Sequence, residues 1–427
     1  MKRYFNNVLI VGTGPVGLTL YVNLKKGFAN RVALKTRDSI NTKIFIEDLK
    51  NNDNFLEITA SNKNISLIEG KCKLETLYVD SFSIDNEWDT LILATPCDNY
   101  IEVVKELNLK NLEKIKKIIL ISPEFCSSLI LKTYIPNDIE VISLSNYFAA
   151  SNFLNNRCKV ITNALKKSIY IGSSIKSSVF LEKIREFLLE FNIYSIKCRN
   201  GIEAESKNIT LFVHSPFLLN DISLRQVFNI DTTKRFVYKL YPEGPITMDT
   251  IHNMVVLHEE ISDLYKKMAI PQLNLLKFLN DTYPVLDTSI KQPYIKNFLN
   301  LTRTKKEYLL YVRYASILID PFSIPDKDGK FFDFSRVEYS KIYLNDKNKW
   351  VIPRRPLEDY NKLNLIWHLS NFFETKNSLI AKLINCYKKY YLNFENVIEK
   401  KNIDSNSYLT ERFDEASLIY SFFRKIN

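Results

Sequence analysis

The sequence predicts an α/β fold in which a doubly wound parallel sheet is followed by a mainly α-helical second domain. Three observations predict it. Short apolar runs alternate with helical spacing through about residue 200, a glycine-rich segment follows the first run directly, and long helical patterns fill the rest. We therefore expect two domains, residues 1–200 and residues 201–427.

The first strand is predicted at Val8–Val11, where every side chain is apolar, as in a parallel sheet covered on both faces. A helix over Leu18–Lys26 and a strand over Arg31–Leu34 complete a βαβ unit. Later runs predict more strands and helices in alternation. The strands are Thr90–Ala94, Ile118–Ile121, Ile139–Leu144, Lys159–Ile161, Ser168–Ile171 and Ile193–Lys197, and the helices are Tyr100–Leu107 and Val179–Phe191.

The second half of the chain predicts long helices and one extended loop. Proline, aspartate and glycine turn signals predict the loop at Pro321–Glu338. The predicted helices are Ile251–Met268, Gln272–Leu279, Glu307–Leu318 and Leu363–Tyr391.

The composition favours a soluble, globular protein of the cytoplasm. Apolar residues make up 46% of the 427 residues, enough to fill two cores. The net charge is +11, but no run of five basic residues occurs, so we expect no nucleic-acid partner. Gly12 and Gly14 interrupt the first apolar stretch before a signal or membrane segment would be complete. The six scattered cysteines suit a reducing compartment.

A dinucleotide-binding motif follows the first strand. The segment Gly12–Gly17 fits G-x-G-x-x-G between a predicted strand and helix, the arrangement of a Rossmann-like fold. The glycines permit a tight turn, close approach of a pyrophosphate and close packing of helix and strand. The predicted cofactor-binding residues of this loop are Gly12, Thr13, Gly14, Pro15 and Val16.

The end of the second strand favours NADPH over NADH. Lys35 and Arg37 stand where NAD-binding proteins usually carry an acidic residue, and cations suit a 2′-phosphate. We expect Arg37 to be the main phosphate ligand and Lys35 a weaker one. Two alternatives remain: Asp38 contacts the ribose instead, or both cations are solvated loop residues.

Several segments together resemble the staphylopine-type opine metallophore dehydrogenases, over nearly the whole chain. The glycine loop is common to many dehydrogenases, whereas two later segments are long and specific. The matching segments are 10–16, 119–123, Phe212–Pro216, Val237–Met248 and Tyr308–Ser323.

The resemblance implies an enzyme with a Rossmann domain joined to a helical domain, an active site in the cleft between them, and a homodimer. It implies NADPH-dependent reductive condensation of a nicotianamine-like amine with a 2-keto acid, pyruvate or 2-oxoglutarate, in metallophore biosynthesis. No catalytic metal is implied. The chain departs from the family at Tyr147–Ser151, where an acidic residue is missing.

Loss of water and hydride delivery to an imine call for a group that moves a proton near neutral pH. The resemblance selects His214, which stands just before a predicted helical segment, Phe217–Phe228. Tyr241 and Glu243, in a turn rich in proline and glycine, are further catalytic candidates; Glu243 either holds the amino group of the substrate or caps the next helix. Arg313 either binds a substrate carboxylate or pairs with Asp320.

None of the four histidines has the spacing of a metal ligand, so we expect no metal. Two other functions fit the same cofactor motif. One is an NADP-dependent keto-acid reductase that uses no amine, and the other is a non-catalytic NADPH-binding sensor, favoured by the missing acidic residue.

Overall fold

A computed structural model describes residues 2–282, 290–316, 319–320, 325, 329–333 and 335–426. The chain forms two compact units. The first takes the described residues of Met1–Asn208 and Pro321–Phe331, and the second takes those of Ile209–Asp320 and Phe332–Asn427.

The first unit contains an eight-stranded sheet and a four-stranded sheet with helices around them. Its strands are β1 (Asn7–Val11), β2 (Arg31–Lys35), β3 (Phe55–Ala60), β4 (Gly70–Lys73), β5 (Leu77–Tyr78), β6 (Thr90–Leu93), β7 (Lys117–Leu120), β8 (Glu140–Leu144), β9 (Ala149–Phe153), β10 (Lys159–Leu165), β11 (Ser168–Ser173) and β12 (Tyr194–Lys197). Its helices are α1 (Pro15–Leu24), α2 (Ile40–Asn51), α3 (Tyr100–Leu107), α4 (Ser127–Lys132), α5 (Val179–Leu189) and α6 (Gly201–Glu205).

The large sheet has the strand order β12-β11-β8-β7-β6-β1-β2-β5. The strands from β5 to β8 are parallel, and β11 joins them antiparallel to β8. The chain therefore winds outward from β1 in both directions, which confirms the predicted doubly wound sheet. The carboxyl ends of β1, β2, β6 and β7 share one edge, where such folds bind ligands.

The small sheet, with the order β4-β3-β10-β9, was not predicted. Helix α1 contacts strands of both sheets, and all its residues from Gly17 to Leu24 are buried. This double cover explains why the helix is apolar around its whole circumference. The predicted strand at Lys159–Ile161 is the start of β10, so it belongs to this second sheet.

The second unit is mainly helical, as predicted. Its helices are α7 (Thr210–Leu218), α8 (Asp221–Val227), α9 (Met248–Lys267), α10 (Leu275–Thr282), α11 (Gln292–Lys296), α12 (Arg303–Ala315), α13 (Arg354–Phe372), α14 (Ser378–Ile398) and α15 (Phe413–Ile426). Two short hairpins pair β13 (Ile319–Asp320) with β14 (Phe332–Asp333) and β15 (Tyr343–Leu344) with β16 (Trp350–Val351). Much of the loop predicted at Pro321–Glu338 lies outside the described residues.

The prediction of one helix over Leu363–Tyr391 was wrong, because two helices, α13 and α14, cover this range. Glu374 has a φ of 52°, a left-handed conformation that ends α13 just after Phe372. A buried carboxylate, that of Glu260 on α9, then receives the backbone N–H groups of Leu379 and Ile380, at 3.0 and 3.1 Å. Glu260 thereby satisfies free donors of the first turn of α14 and joins that turn to α9.

Among the described residues, no helix combines the length and the apolar character that crossing a membrane requires.

Candidate functional site

At the start of α1, the glycine loop packs closely against neighbouring backbone at one glycine and borders open space at another. Gly12 has a φ of 121°, and a Cβ on it would lie 2.9 Å from the carbonyl oxygen of Ala94. Gly14 is the N-cap residue of α1, no side chain caps the helix there, and a Cβ on Gly14 would meet nothing within 4 Å. The N-terminus of α1 is thus uncapped and has open space beside it, which suits a phosphate.

The two cations predicted to bind a 2′-phosphate differ in their environment. Lys35 is buried, and its ammonium group lies 2.6 Å from a carboxylate oxygen of Glu106. Arg37 is exposed, and its side chain forms no hydrogen bond or ion pair with any described residue. Arg37 is thus free to bind an anion, whereas the charge of Lys35 is already compensated.

His214 lies inside α7, so its predicted place before a helix at Phe217–Phe228 was wrong. That range is divided between α7 and α8, because α7 ends at Leu218 and Asn220 caps a new helix. His214 is mostly buried, with a fifth of its side chain exposed.

Two side chains hold the His214 ring from opposite sides. The Tyr238 hydroxyl lies 2.8 Å from Nε2, which makes a hydrogen bond. The Asp359 carboxylate lies 3.8 Å from Nδ1, on the other side of the ring. Asp359 is buried, and its second oxygen has no hydrogen-bond partner among the described residues. The sequence pointed to neither Tyr238 nor Asp359.

Burial shifts the pKa values of this pair in opposite directions. It lowers the pKa of His214 to about 3, and the positive charges of Arg355 and Lys362 contribute to the shift. It raises the pKa of the Asp359 carboxyl to about 7 despite the nearby charge of Lys362. His214 is therefore a neutral imidazole near pH 7.

The cations around His214 are not equally available. Glu358 lies within ion-pair distance of both Arg354, at 2.7 Å, and Lys362, at 2.5 Å. Arg355 forms no hydrogen bond or ion pair with any described residue, and it is the neighbouring charge that lowers the His214 pKa most. Its backbone departs from helical geometry at the start of α13, with φ −91° and ψ 124°. Arg355 is thus a half-buried cation near the imidazole that is open to an anion.

Tyr241 and Glu243 line one cavity of about 370 Å³ in the second unit, together with Tyr238. The helix cap predicted as an alternative for Glu243 is supplied by Thr247, whose hydroxyl accepts from the N–H of Thr250. The Glu243 side chain forms no hydrogen bond or ion pair with any described residue, so its carboxylate is open to a ligand.

Arg313 is buried on α12 and donates a hydrogen bond to the carbonyl oxygen of Leu279, at 3.4 Å. The side chain of Asp320, its predicted partner, lies outside the described residues. Neither of the two roles considered for Arg313 is therefore tested.

Three possible metal-ligand atoms, on Cys97, Asp98 and Glu124, lie within 4.8 Å of one another. They meet because β6 and β7 are neighbours and both residue groups follow the carboxyl ends of these strands. We assign no metal to them, since acidic groups often cluster without one. The expectation that the protein uses no metal stays a prediction.

The staphylopine dehydrogenase family matches this chain over residues 6–422. The chain belongs to this family. It is 32% identical to staphylopine synthase from Staphylococcus aureus, with 99% of each chain covered. It is 33% identical to pseudopaline synthase from Pseudomonas aeruginosa, with 90% of each covered. The resemblance inferred from the sequence segments is thereby confirmed.

A solved structure of yersinopine dehydrogenase with NADP+ bound has the same fold, with a TM-score of 0.88, 26% identity and 99% of each chain covered. Family membership makes this chain an enzyme, an oxidoreductase of the opine dehydrogenase type.

The buried carboxyl of Asp359 gives the first prediction. Because its folded-state pKa is raised from 3.8 to about 7, the stability that its protonated form contributes is complete below pH 3.8 and is lost as the pH rises to 7. Asp359→Asn should remove this pH-dependent loss of stability, because an amide does not ionise. Between pH 5 and pH 8, the free energy of unfolding of the variant should rise relative to wild type by roughly 2 to 3 kcal/mol, measured by urea denaturation.

Asp333→Asn is the matched control. Burial raises the Asp333 pKa, but hydrogen bonds from Lys239 and Ser335 outweigh it and lower the pKa below 3.8. Its effect on stability should therefore be constant between pH 5 and pH 8. A difference between Asp359→Asn and wild type that does not change with pH would contradict the prediction.

Proposed function

We propose that the protein catalyses the NADPH-dependent reductive condensation of a nicotianamine-like amine with a 2-keto acid, pyruvate or 2-oxoglutarate, in metallophore biosynthesis. The single observation that carries the catalytic part is the neutral His214 imidazole held between Tyr238 and Asp359, with the open cation of Arg355 nearby. The relatives are synthases of staphylopine and pseudopaline, which supports this substrate class.

The cofactor is NADPH, in keeping with the NADP+-bound relative. The residues present fit it, because there is open space beside Gly14 at the N-terminus of α1, and Arg37, just after β2, is an exposed cation without an ion pair among the described residues. Residues Gly12–Val16 would hold the pyrophosphate, and Arg37 would hold the 2′-phosphate, with Lys35 contributing less because of its ion pair. When bound, the cofactor supplies the hydride that reduces the imine.

His214 can manage the protons of the condensation. The amine attacks the carbonyl carbon of the keto acid, a carbinolamine forms, and water leaves to give the imine. Burial disfavours the imidazolium, so the imidazole can take the proton that the attacking nitrogen releases only transiently, with the Asp359 carboxylate opposing its charge, before it returns the proton to the departing hydroxyl. Nε2 is joined to the hydroxyl of Tyr238, which lines the cavity, so the proton can pass through this hydroxyl.

Arg355 and Asp359 support this chemistry in different ways. The Arg355 guanidinium is suited to bind the carboxylate of the keto acid in a bidentate manner. The Asp359 carboxylate faces Nδ1, and it stabilises the imidazolium that forms while His214 carries the proton. We further propose, from the family resemblance, that the enzyme is a cytoplasmic homodimer.

The function is tested by following NADPH consumption with each keto acid, with and without a nicotianamine-like amine. Oxidation that requires both substrates supports the proposal. Oxidation with the keto acid alone would indicate a simple keto-acid reductase. Tight NADPH binding without turnover would indicate a sensor, the possibility raised by the missing acidic residue at Tyr147–Ser151.

Cofactor choice gives the second prediction. Arg37→Ala should weaken NADPH binding about ten- to a hundredfold and NADH binding little, because only NADPH carries the phosphate that the guanidinium would contact. Fluorescence titration with both cofactors measures this. Lys43→Ala, which removes an exposed cation from α2, is the control and should bind both normally. Equal weakening of the two cofactors by Arg37→Ala would mean that Arg37 has a structural role.

The third prediction concerns His214. Both His214→Ala and His214→Gln should lower kcat about 10²- to 10⁴-fold, because neither side chain can carry the proton. NADPH affinity should stay near that of wild type. His252→Gln is the matched control, since His252 is half exposed and pairs with Glu307 away from the cavity. Near-normal turnover in the His214 variants would remove this residue from the mechanism.

A further inference from the structure

The cavity of the second unit has a charge pattern that selects a ligand. Among the residues that the structure describes, the charged ones that line it are Lys239, Glu243 and Asp333. The ammonium group of Lys239 lies 2.7 Å from one oxygen of Asp333, and Ser335 donates to the other oxygen from its N–H and its hydroxyl. These contacts satisfy Asp333 and compensate Lys239. Of these three described residues, Glu243 is the one whose charge has no ion-pair partner.

The turn that carries Glu243 is held by its backbone. The N–H of Phe236 donates to the carbonyl oxygen of Glu243 at 2.8 Å, and the N–H of Tyr241 donates to that of Ile246 at 3.0 Å. A Cβ at Gly244 would lie 2.3 Å from the carbonyl oxygen of Lys239, so the turn closes only around a glycine. The Tyr241 and Glu243 side chains are thus presented to the cavity without serving the fold.

The reacting nitrogen of the substrate is a poor partner for Glu243. A nucleophilic amine must be deprotonated, and an adjacent carboxylate favours the protonated form. Tyr238, by contrast, borders the same cavity and bonds to the neutral His214 imidazole, where a reacting amine can lose its proton. The cavity therefore offers one end for a neutral amine and another end for a cation.

We propose that this cavity binds the amine substrate through a second, non-reacting cationic group, held by the carboxylate of Glu243 and the hydroxyl of Tyr241. The volume of about 370 Å³ is within the range of small-molecule sites. The inference rests on the proposed function, and it assigns Glu243 to the positive charge that the amine carries beyond the nitrogen that is alkylated.

Two probes that differ only in a second amino group test the inference, 2,4-diaminobutyrate and 2-aminobutyrate. Calorimetric titration of the full chain with NADP+ present should show about fivefold tighter binding of the diamine, since an exposed carboxylate contributes modestly. Glu243→Gln should abolish the preference, and Glu243→Asp should keep part of it. Asp249→Asn, which removes an exposed carboxylate of α9 that does not line the cavity, should keep all of it.

The outcomes separate this inference from the proposed reaction. Equal binding of the probes by wild type, binding of neither, or an unchanged preference in Glu243→Gln overturns the role of the cavity. NADPH consumption with pyruvate and each probe is measured in parallel. A preference that depends on Glu243, without turnover of any amine and keto acid, supports the cavity and contradicts the reaction. Turnover that needs both substrates, together with equal binding of the two probes, supports the reaction and contradicts the role of the cavity.

Discussion

The first unit depends on a contact between two stretches of backbone. A Cβ at Gly17 would lie 1.9 Å from the carbonyl oxygen of Gly12, so α1 can pass the loop only because position 17 has no side chain. Because of this close packing, the helix begins directly after the loop that follows β1. Its N-terminus therefore lies at the edge of the sheet where such folds bind ligands. Since both sheets pack on the same helix, the core and the proposed phosphate site are positioned together.

In the second unit, burial determines the protonation states of His214 and Asp359. The same low polarity that keeps His214 neutral also penalises the charge of Asp359, and the two groups remain adjacent at a cost in stability. Glu358 holds two of the three neighbouring cations and leaves Arg355 open. Such a combination of poorly solvated groups is typical of active sites, where stability is given up for reactivity.

The sequence predicted what local patterns encode. Short runs located the strands of the large sheet except the two-residue β5, and the glycine motif located the start of α1. The small sheet was missed because Phe55–Ala60 and Gly70–Lys73 alternate or are polar, a weak signal beside fully buried strands. Apolar spacing continues across the break at 373–377, which hid the end of α13. Tyr238 and Asp359 come from distant segments, so only the folded chain reveals that they meet at His214.

The contact made by the Glu260 carboxylate depends little on which side chains its partners carry. It joins two helices, α9 and α14, that lie more than a hundred residues apart in the chain. The connection relies on backbone N–H groups at its far end, which every residue except proline provides. Any residue other than proline at positions 379 and 380 therefore keeps the two donors that bind Glu260, and the link between the helices tolerates substitution at its far end.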